Sequence, residues 1–153
     1  MKNGKPVPCV ARSFVAASSL PLPPPRSEIP PARKGRALEM ADAVPIGGGV
    51  KDIGVWKPAG PGWSAWRLKL SSDGAKSLSV RLQPFDLPSG SELWLCTPDG
   101  ARQGPYSRKG PAKTARLQTP ALPGGELWLE VLAPVEATSG VQVRIVDAYV
   151  GFR

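Results

Sequence analysis

SAWRLKLSSDGAKSLSVRLQ, residues 64–83, holds two runs of strict alternation around a turn. In the first run Trp66, Leu68 and Leu70 fall on one side, and Arg67 and Lys69 on the other. In the second, Leu78, Val80 and Leu82 share a side, with Ser79 and Arg81 opposite. A helix of 3.6 residues per turn would scatter these apolar positions, whereas a strand of period two gathers them. SDG, residues 72–74, supplies the reversal, since Asp and Gly tolerate the backbone angles of a tight turn. Two antiparallel strands, each with one dry and one wet face, follow.

The same texture continues outward. ELWLC, residues 92–96, is apolar on both faces and reads as a strand inside a sheet, ended by TPDG, residues 97–100, a type I turn. Residues 101–114 are polar and hold Gly104-Pro105-Tyr106. TARLQT, residues 114–119, is a short edge-like strand. ELWLEVL, residues 126–132, sets Leu127, Leu129 and Val131 against Glu126, Trp128 and Glu130. VQVRIV, residues 141–146, sets Val141, Val143 and Ile145 against Gln142 and Arg144. GVW ending at Trp56 and YVGF from Tyr149 to Phe152 bring the count to eight. Strands of this kind cannot hide an apolar face alone, so two sheets stack. The expectation is an all-β, antiparallel two-sheet β-sandwich of jelly-roll or related topology over residues 46–153.

Residues 1–45 read differently. PLPPPRSEIPPARKGR, residues 21–36, is Pro-rich and basic, an extended linker in a disordered tail. ALEMADAV, residues 37–44, is expected to form a helical turn or two, and Gly47 to Gly49 then break the chain. A turn-then-strand device also occurs twice. LPSGSELWL, residues 87–95, echoes LPGGELWL, residues 122–129. Pro fixes each approach, Gly permits the reversal, and Leu-Trp-Leu enters the sheet.

Composition narrows the chemistry. The 153 residues include no histidine, which removes Ser-His-Asp and Cys-His catalysis, HExxH zinc sites and imidazole acid–base work. No GxSxG, SxxK or GxxxxGK[ST] occurs, no cofactor is implied, and the chain is not expected to be an enzyme. The net charge of +8 sits mainly in the tail, with nine basic and four acidic residues up to residue 62 against eleven and eight beyond it. The folded part is nearly balanced, so nucleic acid is not expected as a partner. Cys9 and Cys96 form no disulfide framework, and Cys96 reads as a small core residue. No stretch is long and apolar enough for a membrane span. FVAASSL, residues 14–20, behind Lys2, Lys5 and Arg12, is too short and polar for a convincing signal peptide.

From Gly54 to Phe152, about two-thirds of the chain, the pattern resembles the N-terminal accessory or pro-domain of bacterial lysyl-endopeptidase-like, trypsin-like serine proteases. The ordered set comprises Gly54-Val55-Trp56, Trp66 to Leu70, Gly74-Ala75, Ser77 to Val80, the Leu-Pro-x-Gly turn into Glu92 to Leu95, Asp99-Gly100, Gly104-Pro105-Tyr106, Gly124 to Val131, and Val143 to Val146 with Tyr149. That family often carries a histidine near the position of Ala148, absent here. The resemblance implies a non-catalytic domain, secreted or periplasmic, that helps fold, restrain or target a serine peptidase domain in cis or trans. The peptidase itself has no counterpart here, so the chain is expected to be truncated or split from it.

The alternative is a free-standing module that binds carbohydrate or cell-surface material. Alternation puts Glu126, Trp128 and Glu130 on one face, where a Trp between carboxylates could stack on a sugar ring. Trp94, opposite Leu93 and Leu95, is a second candidate. The competing expectation buries both indoles under a loop or against Arg or Lys of a neighbouring strand. Tyr149 and Phe152 could form an apolar plug for a partner, if exposed.

Overall fold

The computed structural model describes residues 4–35 and 37–153. Eleven strands lie among these residues, and they form two stacked sheets. The first sheet holds β1 (Ser18–Pro21), β3 (Val55–Pro58), β4 (Trp63–Ser71), β6 (Glu92–Cys96), β7 (Arg102–Tyr106) and β10 (Glu126–Pro134). The second holds β2 (Ala41–Gly49), β5 (Ser77–Asp86), β8 (Leu117–Gln118), β9 (Leu122–Pro123) and β11 (Gln142–Gly151). Setting aside the short β1, β3 and β9, the orders are β4-β10-β6-β7 and β2-β11-β5-β8. Within those eight strands the first lies beside the last in one sheet, and the second beside the last but one in the other. That winding is a jelly roll, one of the sandwich topologies expected, in a strand order that alternation does not specify.

The core follows from the alternation. Trp66, Leu68 and Leu70 of β4, Leu127, Leu129 and Val131 of β10, and Leu93 and Leu95 of β6 form the inner layer of the first sheet. Leu78, Val80 and Leu82 of β5, with Val143 and Ile145 of β11, face them from the second. The pairing of β11 shifts register between Ile145 and Asp147, so Ala148 and Val150 take over the inward positions beyond it. One extra residue flips the phase of a strand, and the bulge is why the apolar period breaks at Val146. The Trp66 indole N–H donates to the Ile53 carbonyl at 2.7 Å, which lets a fully buried Trp keep its polar atom satisfied. Gly54 permits that approach, because a Cβ there would lie 2.4 Å from the Trp66 Nε1.

The N-terminal expectations need correction. The helical turns expected over 37–44 do not form: residues 37–40 lie in no regular element, and Ala41 begins strand β2, paired antiparallel with β11 from Ala41↔Gly151 to Gly49↔Arg144. Weak local helical preference yields to a full ladder of backbone hydrogen bonds. Gly49 lies inside that strand rather than breaking it, so close to β11 that a Cβ would collide with the Val143 carbonyl at 1.9 Å. The expected boundary between residues 45 and 46 therefore falls within β2. Residues 4–22 are not a free tail either. A 3-10 turn, Ala11–Phe14, and strand β1 lie along the first sheet, with β1 parallel to β4 from Ser18↔Leu68 to Pro21↔Ser71. The polar stretch 101–114, in which no strand was expected, contains β7, which pairs with β6.

Cys96 is buried, as expected, but it is bridged to Cys9 with a Cα–Cα distance of 5.9 Å. The bond ties positions 87 residues apart in sequence. In the chain-entropy picture, closing a loop of that length stabilises the fold by roughly 4 to 5 kcal/mol.

Candidate functional site

The first sheet turns its outer face toward the N-terminal segment. Cross-strand register places Trp128 between Lys69 and Cys96, and Glu130 between Arg67 and Trp94. These side chains point away from the core because their neighbours Leu127, Leu129 and Val131 point into it. Glu126, Trp128 and Glu130 do share one face, and Trp94 joins it from β6. Residues 4–17 then lie across it as a strap.

Four contacts hold the strap. Cys9 is covalently bound to Cys96. Its backbone N–H donates to Glu130 Oε1 at 2.9 Å. The Phe14 ring stacks on Trp128, centroids 4.5 Å apart and planes 13° from parallel. The Lys5 ammonium pairs with Glu92 at 3.1 Å. Phe14, Cys96 and Trp128 form a second small apolar cluster outside the main core, with Cys9, Ala17 and Trp94 packed on it.

Glu130 is the electrostatic centre of this face. Its side chain is 1% exposed, and Arg67 Nε donates to its other oxygen at 2.6 Å. Both carboxylate oxygens are therefore satisfied, which a buried charge requires. The Arg67 guanidinium also lies 5.8 Å from the centre of the Phe14 ring, so Phe14 is held between an indole and a cation.

The repeated Glu-Leu-Trp element gains a physical meaning here. In each copy the Trp indole N–H donates to the carboxylate two residues earlier, Trp94 to Glu92 at 2.8 Å and Trp128 to Glu126. Residues two apart on a strand share a face, so each Glu presatisfies the one polar atom of its Trp. The Arg102 guanidinium covers Trp94, 5.5 Å from the ring centre. The competing expectation, aromatics covered in cis, describes this face: Trp128 is 7% exposed.

Tyr149 and Phe152 lie elsewhere and do not form an exposed pair. Phe152 is 2% exposed, with Arg26 and Arg153 against its ring at 4.7 and 5.7 Å. Its backbone N–H donates to the Met40 carbonyl at 3.0 Å, so the chain's own N-terminal half covers it. Half-buried Tyr149 lies on the outer face of the second sheet, beside Ser79 and Ala43. There Arg81 pairs with Asp147 at 2.7 Å, and hydrogen bonds to Asp147 and Tyr149 raise the Arg81 pKa.

Alternation found the outward face but not its cover. The residues missed were Cys9 and Phe14, which lie in the segment read as tail, together with Lys5, Arg67 and Glu92 as their partners. The available signal was an outer face carrying two Trp and a sequence-distant pair of cysteines.

Two open clefts, each about 280 Å³, lie outside the strap-covered area, one away from this face and one at its Glu126 end. One runs along Gly49–Asp52 and Val141–Arg144. The other lies among three turns and is lined by Asp73, Asp99 and Glu126. Asp73 and Asp99 sit on exposed turn tips, and half-buried Glu126 accepts from the Trp128 indole. Among the described residues no group of three or more Cys, Asp or Glu is arranged to hold a metal ion, and no helix is long and apolar enough to cross a membrane. No family model, curated protein or solved structure that was compared with the chain matches it.

Proposed function

We propose that the chain is a non-catalytic jelly-roll accessory or pro-domain that works with a secreted trypsin-like serine protease, folding, restraining or targeting the peptidase. The observation that carries the proposal is the Cys9–Cys96 bridge pinning the strap over the outer sheet. Disulfides persist in oxidising compartments, which favours an exported protein. The resemblance over Gly54 to Phe152 supplies the peptidase, and the chain itself supplies no histidine for a triad.

The carbohydrate-binding alternative loses its anchor residues. A sugar platform needs a free aromatic face, and the Trp128 face is stacked on Phe14 while that of Trp94 lies under Arg102. Glu126, Glu130 and Glu92 each accept hydrogen bonds from within the chain. A jelly roll by itself decides nothing about function.

The test is genetic first and biochemical second. The reading frame beyond the codon for Arg153, and the adjacent genes, should encode a chymotrypsin-like domain with its His, Asp and Ser. Purified oxidised chain should then raise the refolding yield of that peptidase or slow its turnover of a lysyl ester. Absence of such a gene, or a peptidase indifferent to the chain in both assays, rules the proposal out.

A further inference from the structure

The strap and the body are joined by a bridge with unusual exposure to attack. Leu22 is the last residue hydrogen-bonded along the first sheet, its N–H donating to Ser71, and Ser72 Oγ holds the Pro23 carbonyl. The next backbone pairing is at Met40, whose carbonyl accepts from Phe152. Between them no described residue belongs to a strand or helix, and the Arg153 guanidinium donates to the carbonyls of Pro30 and Glu39. Ala32, Arg33, Lys34 and Gly35 are all exposed, and Lys34-Gly35 forms a turn at φ +79° with nothing within 4 Å of where a Gly35 Cβ would stand. A peptidase must pull several residues into an extended conformation, and segments outside any sheet or helix yield at least cost.

Other basic turns are braced. In the loop after β7, Lys109 and Lys113 lie among cross-links Ala115 N–H to Lys109, Lys113 N–H to Gly110, Leu87 N–H to Arg108 and Phe85 N–H to Ala115. At Lys51 the N–H groups of Asp52 and Ile53 both return to the Gly49 carbonyl. Lys57 precedes proline, which peptidases of basic specificity disfavour.

We propose that the Lys34–Gly35 bond is a processing site for a serine peptidase whose specificity pocket carries a carboxylate for a basic side chain. In the cleavage, water's oxygen joins the Lys34 carbonyl carbon, the carbon–nitrogen bond breaks, and Gly35 leaves as a free amine. The product is a two-chain jelly roll. Its strap chain stays on the outer sheet through Cys9–Cys96, Phe14 on Trp128 and β1 on β4. Release of the strap, and exposure of Trp94, Trp128 and Glu130, then requires reduction of the bridge as a second, separate event. The peptidase class rests on the function proposed above, but the site is read from this chain alone.

A purified lysine-specific endopeptidase, added at low ratio to the full oxidised chain, tests the site without any native partner. The first internal cut should fall after Lys34, leaving one band on a gel without reductant and two with it, the intact product heavier by one water. Lys34→Gln should slow that cut at least about tenfold, while Lys109→Gln with Lys113→Gln leaves its rate unchanged. A first internal cut after Lys51, Lys109 or Lys113, resistance of the native chain, or two bands without reductant would each overturn the proposal. Failure here leaves the genetic and refolding tests above untouched, so the two proposals fail separately.

Discussion

The two sheets turn opposite outer faces to the world, and those faces solve the same polar problem in different ways. On the second sheet Arg81 and Asp147 pair in the open, with side chains 38% and 18% exposed, beside Tyr149 and Ser79. On the first sheet Arg67 and Glu130 make an equivalent cross-strand pair, at 14% and 1% exposure, because the strap covers them. Alternation gives both faces the same texture of charged and aromatic residues between apolar ones. What separates them is a covalent bond and one aromatic stack supplied from far away in sequence. An ion pair left in water contributes little, while one beneath a strap has lost its hydration and depends wholly on its partners.

The largest expected effect comes from breaking the cover itself. Cys9→Ser, or reduction of the native chain, should lower unfolding free energy by about 4 kcal/mol, read from urea denaturation with and without reductant. A loss that small mutations on the second sheet could match would erase the contrast between the faces. Next comes the buried pair. Glu130→Gln should cost about 3 kcal/mol, since Arg67 loses its charge partner and the Cys9 N–H its best acceptor. Asp147→Asn, the matching change on the open face, should give a melting curve that overlies the wild type. Equal effects at the two positions would contradict the difference in burial.

Phe14→Ala sharpens the same comparison. Removing a 1% exposed ring that stacks on Trp128 should cost about 3 kcal/mol and shift the Trp emission to longer wavelength as Trp128 meets water. The smallest effect is expected where the bridge meets β2. Hydrogen bonds from Arg26 hold Asp42 below its ordinary value of 3.8. A carboxylate depressed in the folded state adds stability above its unfolded value, and that stability is lost as pH falls through the folded one. Asp42→Asn should therefore lower the melting temperature slightly at neutral pH and flatten the acid limb, the variant converging with the wild type as the pH falls through the depressed carboxylate value.

Much of the body was legible from period alone. β4, β5, β10 and the first half of β11 carry their apolar residues every second position, and each such residue lies in the core. ELWLC was read as interior to a sheet from its two apolar faces, and β6 indeed lies between β10 and β7. β2 was not legible, because Pro45 and three glycines make it a poor strand by propensity and only its partner β11 decides it. β1 escaped for a related reason: SSLP has one apolar residue and borrows its order from the edge of β4. Phe14, Val15 and Ala16 suggested a failed leader segment, whereas Phe14 is an anchor for a face whose Trp lies 114 positions later. Period reports which side of a strand is dry. It does not report that a distant segment will make the other side dry as well.

The direct test of the strap is hydrogen–deuterium exchange of the oxidised chain, followed by peptide mass. The amides of Cys9 and Leu22 should be protected far beyond coil rates, the first by Glu130 and the second by the Ser71 carbonyl, and should lose that protection on reduction or in Cys9→Ser. Exchange of the whole 4–22 segment at coil rates in the oxidised protein would contradict the account, returning that segment to a free tail and the Trp128 face to solvent.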